Sequence, residues 1–375
     1  MIYFDNAATT FPKPECVYQR VEQVQRTLGV NVGRGGYQLA RQASELLDTT
    51  RAQLASLVGA SSEQVYFTPS ATYGANQVLL GLPWDAQKVV FISPFDHNAV
   101  ARPLELLRKQ YGFSVTLLPF DPKTQELDQA KMQRLFAQTP PDYVFINHVS
   151  NVTGAILPLD IIGKATHERG GLLIVDSAQS LGLLPYRLTN SPVDFLLFAG
   201  HKNLYGSFGV GGFLCNTNFP LTPALAGGTG SDSRNLSMAE EGSGRFEIGS
   251  PNILAIASLN ASLTWLEEIG LDTLYQHKKS LTQSLITGLE DTAVKLYLPK
   301  SPPIGTISFT HPDYTPSELG TILDQDFQIA VRTGHHCAPY IHSLLGTDQG
   351  TVRVSLGYFN TQEDIDCLQD AINQL

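Results

Sequence analysis

Apolar residues fall in short contiguous runs through the first two thirds of the chain: QVYFT (64–68), KVVFISP (88–94), SVTLLPF (114–120), DYVFINHVS (142–150), GLLIVDSA (171–178) and DFLLFAG (194–200). Runs of this length, several rich in β-branched or aromatic residues, predict strands buried on both faces. Between them apolar positions recur every three or four residues, as in Ala101, Leu104 and Leu107, or Ile161, Ile162 and Ala165, and predict helices. Alternation of the two predicts an α/β fold, a mostly parallel sheet with helices on both faces. In such sheets ligands bind beyond the carboxyl ends of the strands.

The pattern changes after GSPN (249–252). It is helical from Ile253 to about Leu289, and then IGTISFT (304–310), FQIAVRTG (327–334) and TVRVSLG (351–357) read as strands with helices between them. A last helix carries the stripe Ile365, Leu368, Ile372 and Leu375. This divides the chain into a large α/β unit over 16–255 and a smaller α+β unit over 256–375, which the segment 1–15 joins. The Gly-rich stretch 227–252 is too long for an ordinary connection, and loops of this length are usually functional or mobile.

With 375 residues and 42% hydrophobic composition the chain can bury a large core. A net charge of −10 without a Lys/Arg block gives no footprint for nucleic acid or anionic lipid. The opening MIYFDNAATT lacks the basic and apolar regions of a secretory leader, and no stretch approaches the roughly 18 apolar residues that span a bilayer, so a cytoplasmic protein is expected. Cys16, Cys215, Cys337 and Cys367 are widely spaced, which predicts neither a disulfide framework nor a metal site.

The predicted strand ends carry polar chemistry. GHK puts His201 and Lys202 after one, VDSAQ puts Asp176 and Gln179 at a second, FDHN puts His97 at a third, and HVSN puts Asn151 at a fourth. FTPSAT puts Ser70, Ala71 and Thr72 at a strand-to-helix turn, where free N–H groups and the helix dipole favour a phosphate. Singly, each has an ordinary reading as a surface lysine, a cap, a turn residue or a core histidine. Together they match what pyridoxal phosphate requires: a lysine for its aldehyde, an acid for its ring nitrogen and a helix N-terminus for its phosphate.

Nearly the whole chain resembles the class V aminotransferase family, and within it the cysteine desulfurase and selenocysteine lyase branch. The resemblance runs through YFDNAATT (3–10), GRGGYQLA (33–40), FDHNAV (95–100), HVSNVTG (148–154), VDSAQ (175–179), GHK (200–202), RFEIGSPN (245–252), RTGHHCAP (332–339) and VRVSLGYFNT (352–361). It implies the fold type I of pyridoxal-phosphate enzymes, with a seven-stranded sheet in the large unit. It implies that Lys202 bonds the cofactor, Asp176 pairs with the ring nitrogen and His97 stacks on the ring. Gln179 and Asn151 would lie near the ring hydroxyl and substrate, His201 with Ala71 and Thr72 near the phosphate, and Ala8, Arg332 and Arg353 around the substrate, Arg353 clamping its carboxylate. A homodimer is implied in which Ser250 reaches the neighbouring subunit's phosphate.

Cys337 decides the expected reaction. It lies in a loop opened by Gly334 and closed by Pro339, with Arg332, His335 and His336 close in sequence, and nearby positive charge favours the thiolate. The other three cysteines read as packing residues. The resemblance then implies that L-cysteine, or a related small amino acid, gives up its sulfur to Cys337 as a persulfide, releasing alanine and passing the sulfur to an acceptor protein. A C–S or C–Se lyase acting on selenocysteine or cystine, or an aminotransferase, is the alternative. Three positions depart from relatives: Ala199 stands where Ser or Thr is usual, Gly33 stands for a histidine, and GHKNLYG holds one residue more.

Overall fold

All six apolar runs become neighbours in one sheet of the computed structural model, which describes residues 1–33, 35–229 and 234–375. A two-residue strand, β1 (Ile2–Tyr3), precedes the sheet. The sheet itself contains β2 (Val65–Thr68), β3 (Val89–Ile92), β4 (Ser114–Leu117), β5 (Tyr143–Asn147), β6 (Leu172–Asp176), β7 (Phe195–Ala199) and β8 (Gly211–Cys215). Their order across it is β2-β8-β7-β6-β5-β3-β4, and only β8 runs against its neighbours. β5 and β7 are buried at every position because both faces are covered. Alternate residues go to opposite sides: Phe91, Val144, Ile146, Leu196 and Phe198 to one core, Val90, Ile92, Phe145, Leu197 and Phe213 to the other.

Direction and order position the chemistry. β2, β3, β5, β6 and β7 all point the same way, so the turns after them emerge along one edge, and β3 has its sequence neighbour β4 on one side and β5 on the other. That reversal of strand order is where open α/β sheets leave a crevice.

The remaining strands are β9 (Lys295–Leu296), β10 (Thr306–Thr310), β11 (Ile329–Ala330), β12 (Arg332–Gly334) and β13 (Thr351–Ser355). An antiparallel sheet of order β12-β13-β10-β9 forms from four of them, and β11 pairs parallel with β1. The single strand predicted over 327–334 is therefore two, because the N-terminal segment captures Ile329 and Ala330 while β13 captures Arg332 to Gly334. The helical stretch after 253 also divides, into Ile253–Ile269 and Leu271–Glu290, at Gly270 with φ 82. The first of these helices packs on helices Glu15–Thr27 and Gln38–Leu57 and places Ala257, Leu259 and Leu263 in the core that contains Leu196. Cys367 is not a packing residue. It is exposed, one position off the buried face Ile365, Leu368, Ala371 and Ile372 of helix Gln362–Asn373. No helix among the described residues is long and apolar enough to cross a membrane.

Glu247, in RFEIGSPN, ties the end of the long loop to β2. Arg51 Nη1 and Nη2 reach its two carboxylate oxygens at 2.6 and 2.9 Å, Nη1 also reaches the Val65 carbonyl at 2.6 Å, and the Phe67 N–H donates to Glu247 Oε1 at 2.8 Å. Removing one partner of such a pair leaves a charge in the interior. Glu247→Ala should lower unfolding free energy by about 3–5 kcal/mol in denaturant titration, and the pair Arg51→Met with Glu247→Leu should lose much less. A single-variant loss below about 1 kcal/mol would show that the pair does not hold the segment.

Candidate functional site

β7 ends at Ala199, itself buried, and the turn after it presents His201 and Lys202. The turn closes when the Gly206 N–H donates to the Gly200 carbonyl at 2.8 Å. A Cβ on Gly206 would lie 2.9 Å from that carbonyl, and one on Gly200 2.7 Å from Val210, so both glycines are required by close approach. Lys202 Nζ makes no hydrogen bond or ion pair among the described residues. Burial lowers its pKa, Asp176 opposes that, and Arg353 and Arg332 add to it.

Asp176 is the last residue of β6, and its Oδ1 accepts the Ala178 N–H at 2.8 Å. Burial raises its pKa while Lys202 opposes. Behind it Asp96 is fully buried, with Oδ1 unpartnered, and burial together with the Asp176 charge holds its carboxyl well above the usual range. His97 caps helix Asn98–Tyr111, and because its Nδ1 accepts the Ala99 N–H at 3.0 Å the ring proton sits on Nε2. Burial, helped by Lys202 and the arginines, lowers its pKa to about 3, so the ring stays neutral.

The N-terminal segment straps these turns together. Gln179 Nε2 donates to the Ala7 carbonyl at 2.8 Å, and the Ala8 N–H donates to the Asp5 carbonyl at 3.0 Å. The His201 carbonyl accepts from Lys13 Nζ at 2.8 Å, Thr9 Oγ1 at 2.9 Å and the Thr10 N–H at 3.2 Å. Burial pulls the Lys13 pKa down to about 7.

The small sheet contributes two arginines. In the β12–β13 register Arg332 and Arg353 stand directly opposite one another, an arrangement that is unfavourable between like charges. Arg353 has a counter-charge that offsets this. Arg353, fully buried, donates from Nη1 to the Asn151 carbonyl at 2.9 Å and from Nη2 to the Asp5 carboxylate, while its Nε has no partner among the described residues. Arg332 Nη2 lies 3.0 Å from Cys337 Sγ. His336 and Cys337 both adopt left-handed backbone, with φ 50 and 57, a strained pairing for side chains of this size. Asn151 Nδ2 to the His336 carbonyl at 2.7 Å, the Asn98 N–H to the Cys337 carbonyl at 2.7 Å and His336 Nε2 to Thr351 Oγ1 at 2.9 Å hold it there.

Helix Ala71–Gly81 begins where β2 ends. Ser70 Oγ accepts the Tyr73 N–H at 3.3 Å, leaving the Ala71 and Thr72 N–H groups without an intrahelical partner. The helix is pressed on β8, so a Cβ on Gly211 would lie 2.4 Å from the Ala71 nitrogen. His201 Nδ1 is buried and has no partner among the described residues. A free lysine amine, a carboxylate, open helix N–H groups and an orphaned ring nitrogen fit the aldehyde, ring nitrogen and phosphate of pyridoxal phosphate.

Lys202, Asp176, His97, Arg332, Arg353 and Cys337 are thus electrostatic neighbours, and Asn151, Gln179 and Ala8 are tied to the same turns. Ser250 is not brought to them: it is exposed in the long loop and bonds to none of them among the described residues. Part of that loop, 230–233, and Arg34 of GRGGYQLA lie outside the described residues. Sequence reasoning missed Asp5, Lys13 and Asp96, although Asp5 stands within YFDNAATT and Asp96 directly before His97 in FDHNAV.

Residues 2–368 match the family described as aminotransferase class-V. A probable cysteine desulfurase of Pyrococcus abyssi is 30% identical over all of this chain and 94% of its own. A solved apo structure of a cysteine desulfurase from Thermococcus onnurineus NA1 superposes with a TM-score of 0.93 at 30% identity, covering 100% of this chain and 94% of that one. A cysteine desulfurase of Escherichia coli, solved in an S-sulfonic acid form, gives a TM-score of 0.88 at 25% identity over 99% of this chain and 94% of that one.

Burial holds the imidazoles of His97, His148, His201 and His336 at about 3, 4, 3 and 2, against 6.5 in the unfolded chain. Below about 6.5 the unfolded chain therefore takes up protons that the folded one refuses, and stability should fall as pH is lowered, by up to about 1.4 kcal/mol per pH unit for each fully buried ring. Urea midpoints compared at neutral pH and near pH 5 measure this, and His148→Phe should make the fall shallower. A midpoint independent of pH over that range would contradict it.

Proposed function

Because the chain belongs to the class-V aminotransferase family, we propose that it is a pyridoxal-phosphate enzyme that takes the sulfur from L-cysteine and leaves alanine. The single observation that carries this reading is the 3.0 Å approach of Arg332 Nη2 to Cys337 Sγ on a loop held by hydrogen bonds beside Lys202 and Arg353. The names of the relatives support it.

In this reading Lys202 holds the cofactor's aldehyde carbon, Asp176 its ring nitrogen and neutral His97 a face of its ring. Ala71, Thr72 and His201 hold the phosphate, with Ser250 of the partner subunit completing it in a homodimer. When bound, pyridoxal phosphate supplies an electron sink for the substrate's α-carbon. Ala8, Asn151 and Arg353 orient the substrate, whose carboxylate displaces Asp5 from the Arg353 fork. Cys337 Sγ, held beside Arg332, is the nucleophile that attacks the substrate sulfur as a thiolate. An S–S bond forms as the Cβ–S bond breaks, the electron pair stays on carbon and takes up a proton, and Cys337 is left as a persulfide for a sulfur-acceptor protein in the cytoplasm.

Cys337→Ala should keep the visible band of bound cofactor and lose alanine formation at least a hundredfold, about 2.7 kcal/mol in barrier. Cys16→Ala, Cys215→Ala and Cys367→Ala should stay near the parent rate. Pyruvate and ammonia in place of alanine, from the parent protein, would assign it instead as a C–S lyase. For the shared site, Lys202→Ala subunits mixed with Ser250→Ala subunits should regain activity that neither has alone.

A further inference from the structure

Lys278 is a lysine in the wrong place. It sits on the buried stripe of helix Leu271–Glu290, among Leu274, Leu281, Thr282 and Leu285, and is 3% exposed. A small cavity of about 10 Å³, room for one water, adjoins it, and among the residues lining that cavity no other side chain is ionisable. Among the described residues no carboxylate pairs with it, and burial alone pulls its pKa down to about 7. Its one hydrogen-bond partner among the described residues is Asn203, whose Oδ1 accepts from Lys278 Nζ at 2.7 Å.

Asn203 follows Lys202 directly, in the turn that holds one residue more than is usual. Its Nδ2 donates to the Gln179 carbonyl at 2.6 Å, and Gln179 Nε2 in turn reaches the Ala7 carbonyl at 2.8 Å. The turns after β6 and β7 also meet backbone to backbone, since a Cβ on Gly182 would lie 2.3 Å from the Asn203 carbonyl oxygen. Asn203 is therefore the bracket between Gln179 and Lys202, and Lys278 fixes which way its amide faces. Lys278 Nζ donates to the Asn203 oxygen and the Gln179 carbonyl can only accept, so the amide oxygen turns to the lysine and the N–H₂ to the carbonyl.

We infer that Lys278 is a positioning residue which, through Asn203, sets the spacing of Lys202 and Gln179 across the site. This rests on the placement of Lys202 and Gln179 at the cofactor given above. It also gives the additional residue of the turn a purpose, since Asn203 spans a gap that Lys202 and Gln179 leave between their own turns.

Two variants separate the relay from simple packing. Asn203→Asp keeps an acceptor for Lys278 and gives it a counter-charge, but loses the donor to the Gln179 carbonyl. Lys278→Met keeps an unbranched chain, one atom shorter, and loses the donor to Asn203. Reconstituted with pyridoxal phosphate, both should bind it, yet the pH midpoint of its visible band should move by about half a unit or more and kcat should fall severalfold at nearly constant KM. The double variant should be no worse than the stronger single one, because both cut one path. Asn203→Asp gains an ion pair with Lys278 where it loses the bond to the Gln179 carbonyl, so it should fold and bind cofactor, and it decides the matter even if Lys278→Met does not fold. Bands and kcat that match the parent, or shifts that add in the double variant, would overturn the relay alone. A parent protein with no visible band would overturn the placement of Lys202, and the relay with it.

Discussion

Three cationic side chains, Lys202, Arg332 and Arg353, are gathered where the large sheet's strand ends meet the small sheet, and the surrounding structure is arranged to tolerate them. Burying like charges together is costly unless each is paired or desolvation removes its charge. Both remedies are present. Asp5 arrives from the N-terminal segment to neutralise Arg353, Asp176 stands in the field of Lys202, and burial pushes the lysine toward its neutral form. A neutral amine is the nucleophilic form, so the electrostatic constraint and the proposed chemistry ask for the same thing.

That constraint explains the path of the first 13 residues. β1 pairs with β11, Asp5 bridges to Ser355, Asn6 bonds to Asn360, and the chain then crosses to the His201 carbonyl. A segment so short has no core of its own. It is fixed by Phe4, buried in the core of Ile307, Phe309 and Val354, by hydrogen bonds and by the ion pair, and through them it couples the two sheets at the level of the site.

Strand ends were legible from the sequence because contiguous apolar runs mark buried parallel strands without any knowledge of partners, and that put Lys202, Asp176, His97 and Asn151 at them, while their expected roles came from the set taken together and from the family resemblance. What depended on pairing was not legible. Arg332 facing Arg353 is a fact of antiparallel register, and the division of 327–334 at Val331 depends on an N-terminal strand more than 300 residues away. Lys278 is a different case. It lies four residues from Leu274 and from Thr282 on the buried stripe, so the period was in the sequence, but a lysine in HKKS reads as solvated. Ser250 and Thr72, both exposed, are residues whose expected roles depend on a second subunit or a bound group.

The loop that carries Cys337 is tethered on both of its backbone sides. Its carbonyls at His336 and Cys337 are taken by Asn151 and by the first N–H of the helix that His97 caps, and the His336 ring is anchored to β13. A thiol held this way has almost no reach. Sulfur lodged on it would not be carried out on a swinging arm, so whatever collects it must be slender enough to come in, and the exchange would be limited by the visitor's fit to the opening rather than by motion of the host.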